Sequence, residues 1–430
     1  MATKPGKPAA AAGTAGTAGT AAAGTPAGSR SAGAPALAEP SRVADLIGAA
    51  RLATGAVGGV ADLVQALHMA ILGNIPAPVG RPLALATSLV YRSVRGVAGL
   101  AGGGVEHALA RLQPLLGERS GWSGREAVLA ALNGVLGDRL ACDNNPLAIR
   151  MQFRRHGQPL ASMPAVGAAA PPGGRILVLA HGLCMNDLQW QRNGHDHGAL
   201  LERERGYTPV YLHYNTGRHI SENGDDFAHQ LEALLAQWPV PVDELVIMGH
   251  SMGGLVARSA CHYGAQAGHR WLSKLSKLVF LGSPHHGAPL ERGGNWVHLL
   301  TDLTPYTAPF TRLAKLRSSG ITDLRHGSLL DGDWVGRDRF SHRSAPPAPV
   351  PLPAGVACYA LAATIGKDPG QLSGRLAGDG LVPLSSALGR HPDPQRILAI
   401  PEAHQATIYG VNHMELLGSP KVSQRLLAWL

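Results

Sequence analysis

Residues 243–264 read DELVIMGHSMGGLVARSACHYG. Leu245, Val246, Ile247 and Met248 form a short apolar run of the kind required by a parallel strand covered on both faces. Gly249 and Gly253 then bracket Ser251, and the segment that follows is helical in character. An apolar strand, a tight Gly-x-Ser-x-Gly turn and a helix, in that order, hold a serine in strained backbone geometry with its hydroxyl exposed above a sheet. Small flanking residues keep the turn clear of its neighbours. Ser251 is therefore a candidate nucleophile. The pattern alone is weak, because with 55 glycines in 430 residues about 0.4 such matches arise by chance. Context has to carry the reading.

Outward from this turn, strand-like and helical segments alternate. RILVLAHG (175–182), PVYLHYN (209–215), KLSKLVFLGSP (274–284), VACYALAATIG (356–366) and RILAIPE (396–402) join DELVIMGHS as strands. Between the second and third strands in chain order, Phe227, Leu231, Leu234, Leu235 and Trp238 share one helical stripe. Upstream, residues 125–140 are helix-like, and PLAIRMQFR with GQPLAS reads as a hairpin. Alternation of this kind predicts an α/β protein: a mostly parallel, doubly wound sheet with its reactive groups at the carboxyl ends of the strands. Residues 288–353 break the rhythm at about three times the usual connection length, and predict a lid inserted into the domain. Within it, Phe310, Leu313 and Leu316 mark a helical patch, and APPAPVPLP a stiff end.

The remaining chemistry follows from position along this pattern. LAHGLCMND (179–187) ends an apolar strand in a tight loop, and the amides of Leu183 and Met252 are the candidate pair for an oxyanion hole, where backbone N–H groups must be fixed at the site of developing negative charge. Asp379, in the turn of GDGLVPLSSALG, is the candidate acid, with Glu402 as the runner-up. His413, in VNHMELLG after the final strand, is the candidate base, and completes the chain order Ser, Asp, His. His181 reads as structural and Cys184 as packing. The neighbouring His285 and His286 of GSPHHG do not read as a metal pair, because adjacent side chains on an extended segment point to opposite faces. Neither a metal nor a cofactor is expected.

Bulk properties narrow the class. Hydrophobic residues make up 45% and charged residues 16% of the chain, which suits a globular enzyme with long loops. The net charge of +9 has no clustered footprint, since acids interleave with the basic residues between Arg292 and Arg343, so nucleic acid is not an expected partner. Cys142, Cys184, Cys261 and Cys358 lie far apart, with no metal-ligand spacing, and read as reduced thiols. Residues 1–40, an Ala/Gly/Thr/Pro tract, predict a disordered tail. Residues 41–120 predict a helical region preceding a single α/β domain over 121–430, with the 288–353 insertion inside it. The apolar faces and arginine bias of residues 41–116 fit either a layer packed on that domain or contact with a membrane surface or lipid inclusion. No apolar leader precedes a cleavage site, so the expected location is cytoplasmic.

HGL at His181, GHSMGG at Gly249, GSPHHG at Gly282, GDGLVP at Gly378 and NHMELLG at Asn412 together resemble bacterial lipases and esterases of the α/β-hydrolase superfamily, and the related inositol-deacylase type of lipase-like protein. The resemblance covers about residues 145–430. It implies the α/β-hydrolase fold and hydrolysis of a carboxylic ester, a lipid ester or a stored polyester through an acyl-enzyme intermediate. Ser251 would act as nucleophile, Asp379 as acid, His413 as base, and the Leu183 and Met252 amides as oxyanion donors. An acyltransferase on the same fold, and a non-catalytic protein that keeps the fold for binding or scaffolding, are the alternatives.

Overall fold

A computed structural model describes residue 48 and residues 125–160, 172–288, 318–336, 346–368 and 378–430. Of the expectations above, the 1–40 tail and, apart from Gly48, the helical 41–120 region up to residue 120 fall outside these residues, as does the patch around Phe310.

Among the described residues, eight strands form one sheet in the order β2-β1-β4-β3-β5-β6-β7-β8. They are β1 (Gln152–Arg155), β2 (Gln158–Pro159), β3 (Arg175–Ala180), β4 (Thr208–His213), β5 (Glu244–His250), β6 (Leu275–Leu281), β7 (Ala357–Thr364) and β8 (Gln405–Tyr409). β1 runs antiparallel to β2 and β4, and every other pairing is parallel. The β1–β2 hairpin closes through His156 and Gly157, both at positive φ, as a two-residue turn matched to strand twist requires. The helices are α1 (Arg125–Cys142), α2 (His197–Arg205), α3 (Ile220–Gln237), α4 (Met252–Gln266), α5 (Ser319–His326), α6 (Leu384–Ala387) and α7 (Pro420–Trp429). This is the α/β-hydrolase arrangement, a mostly parallel sheet wound with helices.

The layering follows from connection handedness. The chain steps from β3 to β4, then reverses across β3 to β5 and continues to β6. With right-handed crossovers, that reversal puts α2 on the face opposite α3 and α4, and α3 indeed packs along α4 while α2 packs on α7. Covered on both faces, β3 and β5 are buried along almost their whole length: Ile176 to Ala180 and Leu245 to Met248 are all inaccessible. Each Val, Leu, Ile and Met among them contributes on the order of 1.5–3 kcal/mol through burial.

The last strand differs from the sequence expectation. RILAIPE does not join the sheet: Pro394–Arg396 form a short 3-10 turn, Ile397 is exposed, and the strand paired with β7 is Gln405–Tyr409. β8 ends the sheet and buries only alternate residues, Ala406 and Ile408, so it lacks the apolar run that marks the central strands. RILAIPE has that run, but Leu398 N–H donates instead to the Gly389 carbonyl, and Pro401 has no donor to give.

Part of the 288–353 insertion is described. Ser318 Oγ donates to the Gly134 carbonyl at 2.7 Å, Gly320 N–H to the Gly217 carbonyl at 3.0 Å, and Ala288 N–H to the Leu324 carbonyl at 3.1 Å. Ile321, Leu324 and Leu329 are buried, so α5 is built into the body of the domain. Residues 289–317 and 337–345 lie outside the described residues. Among the described residues, no helix is long and apolar enough to cross a membrane.

Candidate active site

Ser251 stands between β5 and α4 with φ 54° and ψ −122°, a conformation that costs a non-glycine residue about 1–3 kcal/mol and persists only where the surroundings enforce it. Here they do. Ser251 N–H continues the sheet ladder to the Leu281 carbonyl at 2.9 Å. A Cβ on Gly253 would run into the backbone of Ala180 and His181, and one on Gly249 into the backbone of Gly254. The two glycines of the motif are there because β5, β3 and the start of α4 converge at this point.

Two more strands deliver the other members. Asp379 sits in the turn after β7, beside Gly378 at φ 56°. Its Oδ1 accepts from Leu381 N–H at 3.0 Å and Val382 N–H at 2.8 Å, leaving Oδ2 directed at His413. His413, after β8, meets that oxygen through Nδ1 at 2.7 Å, and its own N–H donates to the Asp379 carbonyl at 3.0 Å. Both side chains are almost wholly buried. Because the carboxylate accepts, Nδ1 carries the proton and Nε2 presents its lone pair. Ser251 and His413 line one narrow cleft together with Gly182, Leu183, Met185, Pro284 and Val382. Glu402 is exposed in a 3-10 turn before β8, so the structure brings Asp379 and not Glu402 to His413.

Leu183 and Met252 flank the serine. Met252 opens α4, where helix amides carry partial positive charge, and Gly182 packs against Ser251 so closely that an added Cβ would lie 3.1 Å from its Cβ. Among the described residues, neither the Leu183 nor the Met252 N–H has a hydrogen-bond acceptor. The loop that carries Leu183 is tied down from several sides. Tyr214 Oη donates to the His181 carbonyl at 2.8 Å, the His181 and Tyr214 rings stack 4.4 Å apart, and Cys184 N–H donates to Thr216 Oγ1 at 3.1 Å. Cys184 itself has φ 59° and packs against Gly134 of α1. Burial raises its thiol pKa to about 12 and lowers that of the His181 imidazole to about 3, so one stays protonated and the other neutral near pH 7.

One residue of the site escaped the sequence reading. His250, fully buried, lies with its ring 4.7 Å from that of His413, and its Nε2 lies 3.1 Å from the His413 carbonyl. Burial first, and the nearby His413 second, hold its pKa well below 6.5. A neutral imidazole at a carbonyl must donate, so Nε2 bears the proton and pins the backbone of His413 opposite the Asp379 bond. The only sequence signal was its place beside Ser251, among 20 histidines. Among the described residues, no group of three or more His, Cys, Asp and Glu side chains is placed to hold a metal ion.

Residues 148–324 match a family described as a domain of unknown function (DUF7379). No curated protein matches the chain. Among solved structures, the chain is similar to the mature lipase BlEst2 of Bacillus licheniformis at 19% identity, with a TM-score of 0.37, over 65% of this chain and 98% of that one. It is also similar to lipase B of Aspergillus fumigatus at 12% identity and TM-score 0.37, over 61% of this chain and 54% of that one. A third is an esterase of Thermogutta terrifontis, at 14% identity and TM-score 0.33, over 65% of this chain and 93% of that one.

Proposed function

We propose that the chain is a serine hydrolase that cleaves carboxylic esters through an acyl-enzyme. The observation that carries this reading is the 2.7 Å bond from His413 Nδ1 to Asp379 Oδ2 in the cleft that also holds the strained Ser251. In the mechanism, Ser251 Oγ attacks the ester carbonyl carbon while its proton passes to His413 Nε2. The imidazolium that forms keeps its Nδ1–H on Asp379, which stays ionised. The carbonyl oxygen, now negative, accepts from the Leu183 and Met252 amides. Collapse expels the alcohol, which takes the proton from Nε2, and water then repeats the sequence on the acyl-serine to release the carboxylic acid and restore Ser251.

Incubation with a fluorophosphonate probe tests the assignment. Wild type should be labelled and should hydrolyse short p-nitrophenyl esters, and Ser251→Ala should do neither while keeping its fold; equal labelling of the variant would overturn the reading. We further propose that the 288–353 insertion governs acyl-chain acceptance, and that residues 41–116 bring the enzyme to a lipid surface. Removal of residues 1–116 should then weaken binding to anionic vesicles and leave short-ester turnover unchanged.

A further inference from the structure

Arg258 lies in α4, seven residues beyond Ser251, and is 4% exposed. One amino group donates to the Val350 carbonyl at 2.6 Å and the other approaches His285 Nδ1 at 3.4 Å. Its Nε is buried without a partner among the described residues, and no carboxylate there pairs with it. Burial lowers its pKa only to about 10, so it stays charged near pH 7. A buried cation with no counter-charge among the described residues is costly to keep out of water. Anchoring the Val350 carbonyl does not explain that cost, since a neutral donor would serve.

Beside Arg258 lies a cavity of about 480 Å³, within the roughly 300–1,000 Å³ range of small-molecule clefts. Its polar side carries Arg258, His285, His286 and Arg396, and its other wall is the proline-rich run 347–353 with Ile397 and Leu398. Among the described residues, no Asp or Glu lines it. Burial holds the His285 and His286 rings well below the ordinary histidine pKa, His286 at about 4, so they are neutral near pH 7. Nε2 of each is buried without a partner among the described residues. Among the described residues, the cavity shares no lining residue with the Ser251 cleft. The loop after β6 divides the two, with Pro284 lining the cleft and His285 and His286 the cavity.

We propose that this cavity is a second binding site for a small carboxylate bearing an apolar chain, its carboxylate paired with Arg258 and its chain laid along residues 347–353 and Ile397. The guanidinium supplies the counter-charge and planar donor set that a carboxylate matches, and the prolines offer a stiff apolar wall that has no N–H to satisfy. The inference does not depend on Ser251 chemistry, because it concerns binding alone.

Calorimetric titration of the full chain with hexanoate, hexanol and inorganic phosphate tests it. Hexanoate should bind saturably at one site, with hexanol and phosphate each at least tenfold weaker. Ser251→Ala should bind hexanoate as wild type does, whereas Arg258→Met should lose at least tenfold in affinity with an unchanged circular dichroism spectrum. If Arg258→Met does not fold, Leu352→Trp, which fills the apolar wall and spares the guanidinium, should show the same loss. Three outcomes would overturn the proposal: hexanoate binding abolished by Ser251→Ala, binding retained in the folded Arg258→Met or Leu352→Trp variant, or phosphate binding as tightly as hexanoate.

Discussion

The two ends of β5 are built on opposite terms. At its amino end, Glu244 gathers Arg175 Nε at 2.8 Å, Ser276 Oγ at 2.7 Å, Tyr207 Oη at 3.2 Å and Lys277 Nζ at 3.5 Å. Burial pushes this carboxyl up, but the bonds from Ser276 and Arg175 and the charge of Lys277 outweigh it and leave its pKa below the ordinary value. Seven residues on, at the carboxyl end, Ser251 is strained, its flanking amides are open among the described residues, and the adjoining His250 is buried and neutral. One end satisfies its charges, and the other leaves hydrogen-bonding capacity unspent. Unspent capacity and strain in a buried cleft are costs that a ligand or a reaction can recover, so the difference separates the part of the strand that holds the fold from the part that carries chemistry.

The sharpest way to break this contrast is at the carboxyl end. Asp379→Asn, which supports the wrong imidazole tautomer, should lower kcat by on the order of 10⁴, while Glu402→Gln should change it less than about twofold, as surface substitutions do. Steady-state ester hydrolysis measures both, and a larger loss from Glu402→Gln would relocate the acid. Next in size is His250→Ala. It removes the donor from the His413 carbonyl and should lower kcat by about tenfold to a hundredfold through misplacement of the base. KM should stay nearly constant, and a loss confined to KM would make His250 a packing residue.

The two ends should also separate in their response to pH. His181 and His197, with pKa values lowered to about 3 and about 4 by burial, and His250, held well below 6.5 chiefly by burial, bind protons in the unfolded chain before they do in the folded one. Their contribution to stability is therefore complete above the unfolded value near 6.5 and falls on acidification from there toward 4, by up to about 1.4 kcal/mol per pH unit per histidine. Glu244 works at lower pH. Its depressed pKa gives stability that is present above 4.5 and is lost only as pH falls further. Urea unfolding between pH 8 and 3.5 should thus show decline beginning near pH 6.5, and a flat profile down to pH 5 would contradict the burial of neutral histidines. The smallest effect on stability is expected from Glu244→Gln. It should cost about 1–2 kcal/mol in the same unfolding assay and leave kcat unchanged.

Much of this was written locally. The run LVIM followed by GHSMGG specifies strand, elbow and helix through neighbours in the chain, because burial on both faces demands an unbroken apolar run and the convergence of three backbones demands glycine at Gly249 and Gly253. The chain order of Ser251, Asp379 and His413 was equally open to reading, since each follows its own strand-like segment. Tertiary structure decided what depends on segments far apart. RILAIPE is the more strand-like stretch by composition, yet QATIY pairs with β7: the edge of a sheet accepts a half-buried strand, and Leu398 of RILAIPE gives its N–H to the Gly389 carbonyl instead. Asp379 and Glu402 both lie in turns, and only the folded chain turns Asp379 Oδ2 toward His413. The link from His250 to the His413 carbonyl spans 163 residues, and the Arg258 cavity draws its walls from five separate segments. A side chain's neighbours along the chain set its backbone, but the dielectric around it, its hydrogen-bond partners and whether its charge is answered are set by whatever folding brings against it.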